Sequence, residues 1–251
     1  MRSAARNRVG HRASQHGFTL IEIAVAVLVI TLLLGSLLVP LTTQVEQRQI
    51  SEAERRLAEI KEALIGFAAI NGYLPCPAIS ATDGTEDRTA GACTLVGGNP
   101  KRNGILPWVT LGVPPLDPWG NLYRYSVDPE FADINVITLD AKGDIVLRSR
   151  NAAGAAINLT NATVPEIPVV VLSHGGNGHG ATGEGGVVRA TRTGWGTGQD
   201  DEFTNATSAT EFWVRTRTTN PAATGKEFDD IVVWISPNVL MARMVAAGRL
   251  P

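Results

Sequence analysis

The chain changes hydrophobic pattern near residue 41. From Ile23 to Val39 no residue is charged, and the apolar character runs from Phe18 to Leu41, 24 positions in all. A helix of that length covers a hydrocarbon layer of ~30 Å. Beyond it the apolar residues thin to a stripe. Ile50, Ala53, Leu57, Ile60, Leu64 and Phe67 recur at intervals of three and four, which is one face of a helix. Glu46, Arg48, Glu52, Glu54, Arg55, Glu59 and Glu62 take the opposite face. The two patterns join into one predicted helix from Phe18 to about Ile70, with Gly72 as its C-terminal stop. Pro40 removes a backbone donor inside it, so a kink or local melting is expected there.

After Gly72 the period shortens. Residues 74–121 are rich in Pro, Gly, Asn and Thr, hold both cysteines, and read as a long stapled loop. Strand-type segments come next at Leu122–Val127, Ile134–Leu139, Ile145–Arg148, Pro168–Ser173, Phe212–Thr216 and Ile231–Ile235. Asp140-Ala141-Lys142-Gly143-Asp144 reads as a hairpin turn between the second and third. Ser236-Pro237-Asn238 opens a short C-terminal helix over Val239–Ala247. The predicted fold class is α+β: a long N-terminal helix with an antiparallel sheet laid on its second half. The chain divides into 1–17, a leader; 18–71, the helix, with its membrane half at 18–41; and 72–251, a globular head.

Charge sharpens the reading of the N-terminus. Arg2, Arg6, Arg8 and Arg12 precede Gly17, with no acid among them. A positive flank of this kind stays on the cytoplasmic side, so the chain beyond the span lies across the membrane. A secretory signal would carry a shorter apolar region and an Ala-x-Ala-like site after it, which Gly35-Ser36-Leu37-Leu38-Val39-Pro40 does not provide. Without residues 1–17 the chain keeps 18 basic residues against 24 acidic. That balance argues against a nucleic-acid partner, which needs clustered Lys and Arg. Cys76 and Cys93 stand 17 positions apart, and in an exported chain such a pair favours a disulfide. No second cysteine pair or His-x3-His spacing suggests zinc.

One charge lies at the start of the apolar run: Glu22, in Gly17-Phe18-Thr19-Leu20-Ile21-Glu22. A carboxylate at the edge of lipid is costly and usually has a partner and a task. The basic leader, this junction and the apolar run together resemble the cleavage and methylation segment of type IV prepilins and of type II secretion pseudopilins. The resemblance implies cleavage between Gly17 and Phe18 by a prepilin peptidase, which then methylates the Phe18 amine. It implies a subunit built to polymerise, not a catalyst. Its partners would be other pilin-type subunits, an inner-membrane assembly platform and membrane lipid. Its location would be the bacterial inner membrane, single pass, with the head in the periplasm and then in a filament. Glu22 would pair with the Phe18 ammonium of a neighbouring chain and set axial register.

Two head phrases extend the resemblance. Asp117-Pro118-Trp119-Gly120-Asn121-Leu122-Tyr123-Arg124-Tyr125 is similar to a turn-into-strand of major pseudopilins. Ser173-His174-Gly175-Gly176-Asn177-Gly178, then Gly183-Glu184-Gly185-Gly186, then Asp229-Asp230-Ile231 with Trp234, resembles their calcium-holding loop. The resemblance implies calcium ligands at Ser173, Asn177, Asp229 and Asp230, suited by oxygen chemistry. The chain departs from the pattern twice: Asn177 stands for an Asp, and Val187 to Phe228 intervene as an insert. Gln199-Asp200-Asp201-Glu202 and Asn205 in that insert either donate ligands or are solvated, and calcium competes with a metal-free Gly-rich loop.

Other motifs carry less. Gly178-His179-Gly180-Ala181-Thr182-Gly183 fits a dinucleotide fingerprint in spacing, but Glu184-Gly185-Gly186-Val187 is no helix start. His174 and His179 read as loop histidines. Two other functions stay open: a minor pilin acting as adhesin or tip initiator, and a membrane-anchored periplasmic enzyme with its site in 171–205. Loss of surface pili on deletion would mark the first, and activity of the soluble head the second.

Overall fold

A computed structural model describes residues 17–134, 137–160, 166–196 and 200–250, without the side chains of 34–42. The leader 1–16 lies outside the described residues, as does part of the expected strand 134–139. The chain forms two compact units, 1–47 and 48–251. Helix α1, Leu20–Asn71, begins in the first and ends in the second, and Pro40 does not end it. Gly72 closes it at φ 87°, its N–H donating to Ala68 O at 2.8 Å. A positive φ of this kind is the usual glycine stop.

In the first unit the apolar side chains point outward. Leu20, Ile21, Ile23, Val25, Leu28, Leu32 and Leu33 are all exposed. Thr31 Oγ1 donates to the carbonyls of Val27 and Leu28, each at 2.9 Å, so the one hydroxyl in the described part of this run is satisfied by its own helix. Among the described residues no helix is long and apolar enough to cross a membrane. The expected span 18–41 lies partly outside them.

The second unit has three layers. Its short N-terminal strands are β1 (Arg88–Thr89), β2 (Ala92–Cys93), β3 (Leu95–Val96) and β4 (Asn99–Pro100), paired as two small hairpins. Then come β5 (Asn103–Ile105), α2 (Trp108–Leu111), β6 (Arg124–Val127), α3 (Pro129–Ala132), β7 (Val146–Arg150), β8 (Ala156–Asn158) and β9 (Val169–Ser173). The chain ends with α4 (Asp201–Thr207), β10 (Glu211–Trp213), β11 (Ile231–Ile235) and α5 (Pro237–Ala246). A four-stranded antiparallel sheet has the order β11-β9-β6-β5. On one face Leu57, Ile60, Leu64 and Ala68 of α1 share a core with Tyr125, Val127, Val169, Val171 and Leu240 and Met244 of α5. On the other, Val170, Leu172 and Val232 meet Ile145, Leu147 and Phe212.

That second face belongs to a three-stranded sheet, β10-β7-β8, absent from the sequence expectation. The expected antiparallel sheet on the second half of the helix is the four-stranded one, and the added sheet differs in that β10 runs parallel to β7. The stretch 74–121 is likewise not only loop, since β5 is an edge strand of the main sheet. The expected strand 134–139 is absent among its described residues. Asp128 caps α3, its Oδ1 accepting from Glu130 N at 2.8 Å, and Pro129 comes next at the first turn. This cap opens a four-residue helix that ends at Ala132, before the expected strand begins. Among the described residues, 140–144 join no hairpin. Asp144 N instead donates to Asp128 Oδ2 at 2.9 Å.

Cys76 and Cys93 form a disulfide, with Cα atoms 5.4 Å apart and both residues in the α1 core. Replacing both with Ser should lower unfolding stability by roughly 3 kcal/mol on the loop-entropy argument. Chemical denaturation of the two proteins checks this. Equal midpoints would mean that packing alone holds the segment.

Candidate functional site

The first functional segment is the start of α1. Thr19 precedes the first helical residue, Leu20, and Glu22 is the third. Glu22 N donates to Thr19 Oγ1 at 3.3 Å, and Thr19 N donates to Glu22 Oε2 at 3.4 Å. This reciprocal pair is a capping box, which satisfies two helix-start donors and sets a carboxylate at the positive end of the helix dipole. The box holds Glu22 one turn from the Gly17–Phe18 bond, where Phe18 is 80% exposed. Gly17 is exposed as well.

The second is a carboxylate cluster in the head. Sheet register builds half of it. Ile231 pairs with Ser173 across β11 and β9, so the residues after Ser173 lie beside those before Ile231. Asn177 N donates to Asp229 Oδ2 at 2.9 Å. Gly175 adopts φ 62°, and a Cβ there would fall 2.4 Å from Asp229 Oδ1, so any side chain at 175 would collide with that carboxylate. The other half comes from α4. Glu202 Oε1 accepts from Asn177 Nδ2 at 2.9 Å and from Asp229 N at 2.7 Å. Asn205 Nδ2 donates to Asp230 Oδ2 at 2.8 Å.

Glu202, Asp229 and Asp230 each bring an oxygen within 4.8 Å of the other two. The Glu202 and Asp230 side chains are fully buried, and that of Asp229 is 13% exposed. Arg192 balances Glu202 at 2.7 Å, and Arg217 lies 3.9 Å from Asp229. His174 Nδ1 is 3.4 Å from Asp230 Oδ1. Asp229 Oδ1 and Asp230 Oδ1 are buried with no hydrogen-bond partner. Burial, with Glu202 and Asp230 close by, pushes the Asp229 carboxyl up to about 7. Burial and Asp230 push Glu202 up as well.

Residues 12–38 match the prokaryotic N-terminal methylation motif. This is the leader signature of type IV pilins and pseudopilins. No curated protein and no solved structure matches the chain. The motif spans Gly17, Phe18 and Glu22, so the capping box lies inside it. The chain thus carries the N-terminal signature found in pilin-type precursors, which is consistent with membrane anchoring.

Of the four residues expected at a metal, the structure brings Asn177, Asp229 and Asp230 together and sets Ser173 apart. Ser173 Oγ donates to Asp117 Oδ2 at 2.6 Å. Asp117 in turn accepts from Trp119 N and Asn121 N, so the serine pins the Asp-Pro-Trp-Gly turn to β9. The acidic run in the insert splits three ways. Asp200 caps α4 and pairs with Arg192, and Asp201 pairs with Arg150 and Arg215. Only Glu202 faces the cluster. Its place could be seen in the sequence as a nearby acid, but helical phase and the distance across the insert hid which of three acids it would be. The oxygens fit a hard divalent cation: three carboxylates converge, and two of their oxygens are otherwise unsatisfied.

The metal-free cluster has a pH signature. A carboxyl raised in the folded state contributes stability that is full below the ordinary value of 3.8 and is lost as pH rises through about 7. In chelator the chain should therefore melt lower at pH 8 than at pH 5.5, and Asp229→Asn should flatten that slope. Calorimetry at both pH values in detergent checks it. An unchanged slope in the variant would remove Asp229 as its source.

Proposed function

We propose that the chain is a pseudopilin-like structural subunit of a filament of the type II secretion or type IV pilus kind, not a catalyst. The methylation motif carries the reading, and three features support it: the capping box, the outward apolar side chains of the first unit, and a head built on the second half of the same helix. In this reading residues 18–41 anchor the chain in the inner membrane with the head in the periplasm. A prepilin peptidase cuts after Gly17 and methylates Phe18. An assembly platform then draws the subunit into a filament with other pilin-type chains.

Glu22 provides register. Capped onto Thr19, its carboxylate is held at the helix start and needs only a cation from a neighbour. The new Phe18 ammonium of an adjacent chain supplies one, and in a lipid-like surround that pair is favoured over two isolated charges. Packing of the exposed apolar helix surfaces supplies most of the burial. At the head, Asp229, Asp230 and Glu202 hold a divalent cation, with calcium the hard ion that the oxygen set suits. The bound ion would neutralise the cluster and fix the loop after β9.

Mass spectrometry of the mature protein should find N-methyl-Phe18 as the first residue. A start downstream of Leu33 would instead identify an ordinary signal peptide and overturn the reading.

Glu22→Val should insert and be cleaved, yet fail to enter filaments. Sheared-filament fractions probed for the subunit check this, and normal incorporation of the variant would refute the ion-pair account of register.

A further inference from the structure

The three cluster carboxylates do not come from one piece of chain. Asp229 and Asp230 lead directly into β11, in the middle layer of the head, whereas Glu202 arrives on α4, inside the stretch 187–228. That stretch also supplies Arg192, Asn205 and β10, which pairs with β7 in the outer sheet. The cluster is thus a seam between the insert and the sheet that bears it. We propose that one divalent cation bound across this seam latches the insert to the head, with Glu202 as the ligand through which the insert is held. The latch rests on the reading of the cluster as a cation site.

The forces at the seam favour it. Three carboxylates within 4.8 Å, two of them fully buried, repel one another in a medium that screens charge poorly. Arg192 neutralises Glu202 but belongs to the insert itself, so it ties the insert to its own acids, Asp200 and Glu202. It adds nothing across the seam to Asp230. At the cluster the direct links are Glu202 with Asn177 and Asp229 N, Asn205 with Asp230, and Arg217 with Asp229 at 3.9 Å, while farther out Asp201 of α4 pairs with Arg150 of β7. Asp230 Oδ1 is buried without a hydrogen bond, with His174 Nδ1 3.4 Å away. A dication that takes an oxygen from each of the three converts the repulsion into a bridge. It also satisfies Asp229 Oδ1, which is buried without a hydrogen bond. Without the ion, opening of the seam relieves the repulsion, and α4 is then held to the sheets by the Asp201–Arg150 pair and the remaining hydrogen bonds alone.

Hydrogen–deuterium exchange of the full-length chain in detergent micelles tests the latch, alongside calcium binding read by competition with terbium luminescence. If opening of α4 frees the ion, exchange of its amides should slow by one plus the ratio of free calcium to Kd, about tenfold at ten times Kd. Amides of α5, which packs on the α1 side of the sheet, should not change. Glu202→Gln keeps the acceptor for Asn177 and Asp229 N but removes the charge, and it should abolish the α4 protection. Calcium that binds yet leaves α4 exchange unchanged, or slows α5 equally, overturns the latch while the cation site stands. So does a Glu202→Gln protein that is protected like the parent. No calcium binding by the parent chain overturns the latch and the site together. The parent-chain arms need no variant, so a misfolded Glu202→Gln protein still leaves a decision.

Discussion

Strand β9 has no face to give to water. All five of its residues are buried, and their alternation sends Val169 and Val171 to the α1 core and Val170 and Leu172 to the outer sheet. A strand covered on both sides must be an unbroken apolar run, as this one is up to Ser173. Everything around it is arranged to keep it covered. α1 lends its stripe on one side, the outer sheet closes the other, and β6 and β11 take its two edges. Ser173, the one polar residue in it, is tied to Asp117 and so fixes the Asp-Pro-Trp-Gly turn. The carboxylate cluster sits where β9 ends, because the register with β11 leaves no other place for the residues after Ser173.

How much of this could be read from the residues depended on whether the signal was local. The α1 stripe was, and Ala53, Leu57, Ile60 and Leu64 are buried as their spacing requires. Gly72 stops the helix for the same kind of reason. Strands β6, β7, β9 and β11 were each visible as short apolar runs. Strand β10 was visible too, as Phe212–Thr216, but the separate outer sheet was not, because β8 is exposed and β10 joins β7 in parallel over a long interval. β5 was hidden by its composition: Asn103-Gly104-Ile105 reads as a loop and becomes a strand only by pairing with Arg124–Ser126. The strand expected at 134–139 rested on an alternation that its described residues do not follow.

The site divides in the same way. Glu22 announces itself as a single charge at the head of an apolar run, and its cap with Thr19 is a matter of three residues. Asp229 and Asp230 could be found from the Asp229-Asp230-Ile231 phrase that follows the Gly-rich loop. Glu202 could not be singled out, since Asp200, Asp201 and Glu202 are alike in type and only the phase of a seven-residue helix assigns their directions. Ser173 was misplaced for the opposite reason. Its neighbours in sequence point to the cluster, but its hydroxyl turns back to Asp117, 56 residues earlier.

One consequence concerns where the protein can be divided. The head has no complete core without the second half of α1, because Leu57, Ile60, Leu64 and Ala68 form the wall against which Val169 and Val171 pack. The boundary between apolar segment and head is therefore not the end of the helix at Asn71 but a point before Ala53. A fragment beginning at Arg48 retains the entire buried stripe and omits the outward-facing apolar side chains. One beginning at Gly72, which looks like a natural domain edge, would leave the inner face of the sheet bare and prone to aggregate.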